Sequence, residues 1–299
     1  MGDLKSFSLE GHTVPACTSA PPFPEHLSDE EFSLFADLIY SVSGIWLSSS
    51  KKGLLISRLS KRLKCSGCKS FYEYYQNIKH DNKELIEMLN CISTNTTKFF
   101  RENYHFEYLK KTVIPWLISD KAAEKRIRIW SAGCSTGEEP YSIAITVLEA
   151  FRAGAADPAS WDIKVLATDI STRVLETAQA GIYECEQLPE DIQSDMVSRY
   201  FLKGTGEYTG KIKVKECVRE LIRFRRLNLK DERYPFQSPF DVIFCRNVMI
   251  YFDEGMRRHV LSRFHAHLIK NGYLFLGHSE AMFDKEQFTP VHITVYRKN

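Results

Sequence analysis

No stretch of the chain approaches the roughly 18 consecutive apolar residues that a membrane-spanning helix requires. The longest apolar runs, Val113–Ile118 and the segment around Val242, fall far short of it. The N-terminus lacks the succession of charged, apolar and small residues that marks a secretory signal. Eight cysteines are scattered through 299 residues without the spacing of a disulfide framework, so reduced thiols and a cytoplasmic protein are expected. Cys65 and Cys68 form a single C-x-x-C with no further ligands at regular spacing, and no metal site is expected there. None of the 15 glycines falls in a G-x-G-x-x-G, so the dinucleotide fingerprint is missing too.

Net charge is also scarce, with 40 basic residues against 38 acidic ones. That balance is a cancellation. Residues 51–70 hold seven basic residues and no acid, and residues 203–226 hold eight basic residues and three acids. The remainder carries 25 basic against 35 acidic residues. A helix face that is only positive repels itself, which favours an acidic partner over a merely solvated face.

What is present reads as a loose tail and two domains. Residues 1–27 carry Pro15, Pro21, Pro22 and Pro24 among small and polar residues, a tail composition. Residues 28–92 read as a small all-α unit. Ser28 to Glu31 is a capping box, Phe32, Phe35, Leu38 and Ile39 follow at helical spacing, and Gly44 closes the helix. Lys51–Lys64 places Leu55, Leu59 and Leu63 on one helical face, with Lys51, Arg58 and Arg62 beside it. Ser70–Ile78 and Asn82–Ile92 complete four helices. Residues 93–299 alternate strand and helix: strands at 126–130, 163–167, 241–245 and 273–276, helices at 138–151, 172–180 and 254–269, and a late alternating edge at 292–296. That rhythm predicts an α/β, doubly wound Rossmann-like domain, with ligands at the carboxyl ends of its strands. Turn signals at Gly204, Gly206 and Gly210 around the alternating Ile212–Val214 predict an inserted antiparallel β-subdomain over 203–227.

The first strand runs into Gly133 and Gly137 and then a helix N-terminus, which suits close approach of a nucleotide-like ligand. Asp169, ending the second strand, is placed either to take a ribose diol or to cap the helix that starts near Thr172.

Five blocks carry a closer likeness: Thr94-Asn-Thr-Thr-Lys-Phe-Phe-Arg101, Ser131-Ala-Gly-Cys-Ser-Thr-Gly-Glu-Glu-Pro-Tyr-Ser142, Ala167-Thr-Asp-Ile170, Phe244-Cys-Arg-Asn-Val-Met-Ile-Tyr-Phe252 and Gly277-His-Ser-Glu280. Together they resemble the chemotaxis receptor methyltransferases, from about residue 28 to the end. The resemblance implies an S-adenosylmethionine-dependent enzyme that esterifies receptor glutamates and releases S-adenosylhomocysteine. It places cofactor contacts at Asn95, Thr97, Arg101, Glu139, Asp169, Asn228, Leu229, Arg246 and Asn247. Arg101 and Tyr251 fall at the methyl-transfer centre. Ser131 stands where methyltransferases in general have an acid at the end of the first strand. An ionised carboxylate acceptor needs no general base, so the lack of a Ser-His-Asp or Cys-His set is expected.

The resemblance further implies that Lys51, Arg58, Lys61 and Arg62 dock on the acidic, helical methylation region of a membrane receptor array. It leaves open whether the β-subdomain binds a receptor C-terminal tether, and implies a monomer that does not itself insert into the membrane. A nucleic-acid methyltransferase would use the same basic faces to track phosphates, but no Asn-Pro-Pro-Tyr segment follows the 241–245 strand and no Pro-Cys nucleophile is present. A non-catalytic cofactor-binding sensor is disfavoured by the intact set of Arg101, Asp169 and Asn247.

Overall fold

The computed structural model describes residues 26–154, 156–280 and 286–299. Most of the expected tail, residues 1–25, thus lies outside the described residues. Leu27, assigned to that tail, is fully buried in the helical core. It stands just before the cap of α1 (Asp29–Ser43), with Phe32 in the first turn behind it, the two positions of a hydrophobic staple. The capping box forms on both sides: Glu31 N–H donates to Ser28 Oγ, and Ser28 N–H to the Glu31 carboxylate. Gly44 ends the helix with φ 74°, and a side chain there would strike Met256 of the larger domain. Helices α2 (Lys52–Ser66), α3 (Phe71–Ile78) and α4 (Asn82–Ile92) close the unit around Phe35, Leu55, Leu59, Leu63 and Tyr74.

A broken helix follows: α5 (Tyr104–Tyr108), a π-helical turn over Leu109–Val113, and α6 (Ile114–Asp120). Then come β1 (Arg126–Ala132), α7 (Glu138–Ala153), β2 (Asp162–Asp169), α8 (Thr172–Ala180), β3 (Ile182–Glu184), α9 (Ser194–Tyr200), β4 (Phe201–Lys203), β5 (Lys211–Val214), α10 (Glu216–Arg219) and β6 (Ile222–Arg226). The chain finishes with β7 (Phe240–Cys245), α11 (Glu254–His267), β8 (Leu268–Leu276), β9 (Phe288–His292) and β10 (Val295–Lys298).

Seven strands form one sheet in the order β6-β2-β1-β7-β8-β10-β9. The first five run parallel, and β10 lies antiparallel between β8 and β9. All six residues of β7 are buried, as a parallel strand covered on both faces requires. The chain moves outward on one side of β1 and returns on the other through β7. The switch point therefore opens at the carboxyl ends of β1 and β7, where a ligand crevice belongs.

The small antiparallel sheet is present, but not over 203–227. Its order is β3-β5-β4, so it spans 182–214. Ile222–Arg226, expected inside it, is instead the parallel edge of the main sheet, paired with β2. Ile222 and Phe224 are buried while Arg223, Arg225 and Arg226 are exposed, and that alternation looks the same on an edge strand as on an exposed hairpin. Strands β3 and β4 have three residues each, too short to show a period. Two further boundaries move. Helix α11 stops at His267 because Leu268 already pairs with Phe240. The expected single edge at 292–296 is a hairpin, turned at Thr294 with φ 50°.

Candidate active site

Two glycines shape the turn after β1. Gly133 has φ 78° and Gly137 φ 100°, and a Cβ on either would collide with Val248 or Ala178 respectively. Gly133 N–H and Cys134 N–H both bond the Thr168 carbonyl, tying this loop to the end of β2. Asp169 then holds it further: Oδ2 accepts from Ser135 N–H at 2.9 Å and Oδ1 from Ser171 N–H at 2.9 Å. The cap of α8 is Ser171, whose hydroxyl accepts from Val174 N–H, so capping is not the task of Asp169. Burial raises its carboxyl pKa, against the pull of those backbone N–H groups. Each of its oxygens keeps a lone pair for a hydroxyl.

Arg246, just past β7 and 6% exposed, is the hub. Its guanidinium reaches Glu139 Oε2 at 3.3 Å and Glu102 Oε2 at 3.2 Å, and donates to the carbonyl of Arg101. Glu139 Oε1 accepts from Ser131 Oγ at 2.7 Å. Ser131 therefore brings a carboxylate from the start of α7 back to the end of β1, the place where related folds carry the acid directly. Burial raises the Glu139 pKa, and Arg246 and Ser131 oppose it. At Glu102 burial also pushes upward, but pairing with Arg246 and the donors around it win and the pKa is lowered.

Two residues without an assigned role emerge here. Glu280, 5% exposed, accepts four backbone N–H bonds of 2.6–2.9 Å, from Asn247, Val248, Met249 and Gly277. It holds the loop after β7, including Asn247 in the left-handed region at φ 59°. Glu102, itself at φ 56°, joins Arg246 to the Asn247 amide, which donates to it at 3.4 Å. Glu280 ends one of the quoted blocks and Glu102 directly follows another, the only hint that either would matter.

His105 is a third. It is fully buried, bonded through Nε2 to Thr294 Oγ1 at 2.9 Å, and its Nδ1 lies 3.6 Å from Glu102. Burial, helped by the positive charge of Arg246, pushes its pKa down to about 3. The folded protein thus keeps His105 neutral where an unfolded chain protonates it near pH 6.5. Its contribution to stability is complete above about pH 6.5 and shrinks as pH falls toward about 3. From pH 7 to pH 5 we expect a loss of about 2 kcal/mol from this side chain. Urea unfolding of wild type and His105→Gln at both pH values checks this, since only the wild type should show that part of the slope. Equal slopes would contradict it.

The helical unit closes the site. Asn228 Nδ2 donates to the Val42 carbonyl at 2.6 Å, Trp46 N–H to the Tyr251 carbonyl at 2.9 Å, and Tyr40 OH to Asp253 at 2.8 Å. Across the gap, Ser135 Oγ donates to the Asn95 carbonyl, and within the segment that carries Asn95 the Arg101 Nη1 donates to the Thr96 carbonyl at 3.1 Å. These ties enclose a cavity of about 450 Å³. Every residue nominated for the cofactor lines it: Asn95, Thr97, Arg101, Glu139, Asp169, Asn228, Leu229, Arg246 and Asn247, with Tyr251 alongside.

The docking nominations divide. Lys51, at the cavity, and Lys61, away from it, are exposed. Arg58 instead donates to the Ile92 carbonyl and to Thr94 Oγ1 within the wall of the cavity. Arg62 forks onto Glu84 of α4, which also accepts from Tyr74 OH. Both arginines are tied within the chain and only partly exposed. The acid that claims Arg62 lies 22 residues away, outside the acid-free segment that made the face look unpaired.

A doubly wound sheet with a cavity at its switch point, a part-buried carboxylate at the end of β1, a buried one at the end of β2 and an apolar wall at Leu229 suits a nucleoside carrying an amino-acid tail. That is the site of a Rossmann-like S-adenosylmethionine-dependent methyltransferase. Comparison with known families narrows the class. Residues 95–297 match the family described as CheR methyltransferase, SAM binding domain, and residues 30–93 match CheR methyltransferase, all-alpha domain. The chain is 40% identical over 279 residues to the chemotaxis protein methyltransferase of Borreliella burgdorferi, covering 92% of this chain and 96% of that one. It is 41% identical to chemotaxis protein methyltransferase 2 of Pseudomonas aeruginosa (89% and 93% covered) and 41% identical to the enzyme of Escherichia coli K12 (90% and 91%). The chain belongs to the CheR family of chemotaxis methyltransferases. Among the described residues no helix is long and apolar enough to cross a membrane.

Proposed function

We propose that this enzyme methylates glutamate side chains on the cytoplasmic, helical region of chemoreceptors, forming methyl esters. The observation that carries the reading is the make-up of the cavity lining: the buried Asp169 and part-buried Glu139 share it with exposed Lys51 and Lys98 and the half-buried Arg101. The acids suit the ammonium and ribose diol of S-adenosylmethionine, and the basic side chains suit an anionic acceptor. Asn228 still has one amide N–H and one lone pair for an adenine edge. When bound, the cofactor supplies a methyl on sulfonium sulfur; a carboxylate oxygen takes it while the bond pair stays on sulfur, leaving the ester and S-adenosylhomocysteine.

Arg101 uses one N–H on Thr96 and has others for the incoming carboxylate. Tyr251 stands at the same wall to orient it. Because a glutamate side chain is already ionised near neutral pH, holding the partners in line is the main task, one that can contribute ~7–11 kcal/mol. The edge strands β3 and β4 of the small sheet offer unpaired backbone to an extended receptor tether. The test is transfer of labelled methyl from S-adenosylmethionine to chemoreceptor-bearing membranes. Label released by mild base supports an ester; label on added DNA or RNA alone overturns the reading.

A further inference from the structure

We propose that Trp46 and Ile250 form an apolar shelf at the cavity mouth that receives a nonpolar side chain of the substrate, about one helical turn from the glutamate being methylated. The inference rests on the reading that the acceptor is a glutamate on an acidic helix. Trp46 is 57% exposed and Ile250 43% exposed, and apolar surface that is shared by neighbouring residues beside a cavity marks a contact site more than scattered residues do. They come from different domains but are held together. Trp46 N–H bonds the Tyr251 carbonyl, and Ile45 forms an antiparallel bridge with Phe252. The shelf therefore sits directly against Tyr251, and both side chains line the cavity.

Polar demands of the cofactor are met elsewhere, at Glu139 and Asp169, so neither shelf residue is needed for them. Among the described residues the Trp46 indole N–H has no acceptor, which leaves it open to a partner. The surrounding charge says what kind of partner. Lys51 and Lys98 line the same cavity, and both are exposed. A helix that presents its target glutamate inward places residues three and four positions away on the same face. An apolar residue there meets the shelf, and acids farther along meet the lysines. Tryptophan is also among the residue types enriched as energetic anchors in protein recognition.

The test uses the full-length enzyme, labelled S-adenosylmethionine and chemoreceptor-bearing membranes. Trp46→Ala should raise KM for receptor about tenfold, the factor expected for losing an interfacial anchor. Trp46→Phe should recover most of that loss, and Ile250→Ser should show a smaller rise. Cofactor affinity by calorimetry should stay within about twofold of wild type, since about 0.4 kcal/mol separates those values. An unchanged KM in Trp46→Ala overturns the shelf while leaving glutamate methylation intact. A fall in cofactor affinity also overturns it, because the indole would then belong to the cofactor wall. Wild-type enzyme that binds cofactor but labels no receptor overturns the glutamate reading, and the shelf with it.

Discussion

Replacing Asp169 with asparagine is expected to weaken S-adenosylmethionine binding by roughly 10–100-fold, as loss of a hydrogen bond to a charged acceptor costs about 1.5–3 kcal/mol. The carboxylate already accepts Ser135 N–H on one oxygen and Ser171 N–H on the other. An amide can serve only one of those donors, so its NH2 faces the other donor without an acceptor between them. Two consequences should therefore appear together: weaker cofactor binding and a stability loss of about 1–3 kcal/mol from the unmatched backbone group. Calorimetry reads the first and urea unfolding the second. Unchanged cofactor affinity would remove Asp169 from the diol site and leave it as a loop tie.

Arg246→Met is expected to cost about 3 kcal/mol of stability, the low end for breaking a buried pair, because it strands two part-buried carboxylates that now share one cation. Glu102 and Glu139 would then face each other without it. The pH dependence identifies the cause. In the wild type the lowered pKa of Glu102 lends stability that is present above the usual carboxylate range and lost as pH falls through the folded-state value. Without Arg246, only the His278 N–H and the Asn247 amide still oppose burial at Glu102, so its pKa should rise and the variant should lose stability as pH climbs through that range. The gap between wild type and variant is therefore larger at pH 8 than at pH 5. A gap independent of pH would assign the damage to lost packing over Phe106 instead of to charge.

Much of this architecture is legible in the sequence because its signals are local. The capping box at Ser28, the leucines of α2 at helical spacing and the glycines after β1 each act within a few residues, and each is realised. What escaped was decided at long range. Strand β6 reads like an exposed hairpin until β2 covers its edge. Arg62 reads as a free charge until α4 brings Glu84 beside it. Ser131 reads as a missing acid until α7 folds Glu139 back onto it. The chemistry of Glu102, Glu280 and His105 lies in partners separated from them by up to 189 residues, and no spacing in the sequence marks such pairs.

Transfer of a methyl group onto a carboxylate oxygen of a receptor glutamate, the proposed reaction, is tested at the level of the atom by tandem mass spectrometry of chemoreceptor incubated with enzyme and S-adenosylmethionine. Glutamate side chains in the cytoplasmic helical region should be heavier by one methylene mass, and mild base should remove that mass. Base-stable methyl groups on lysine or arginine, or modification confined to nucleic acid in the same mixture, would contradict that reaction.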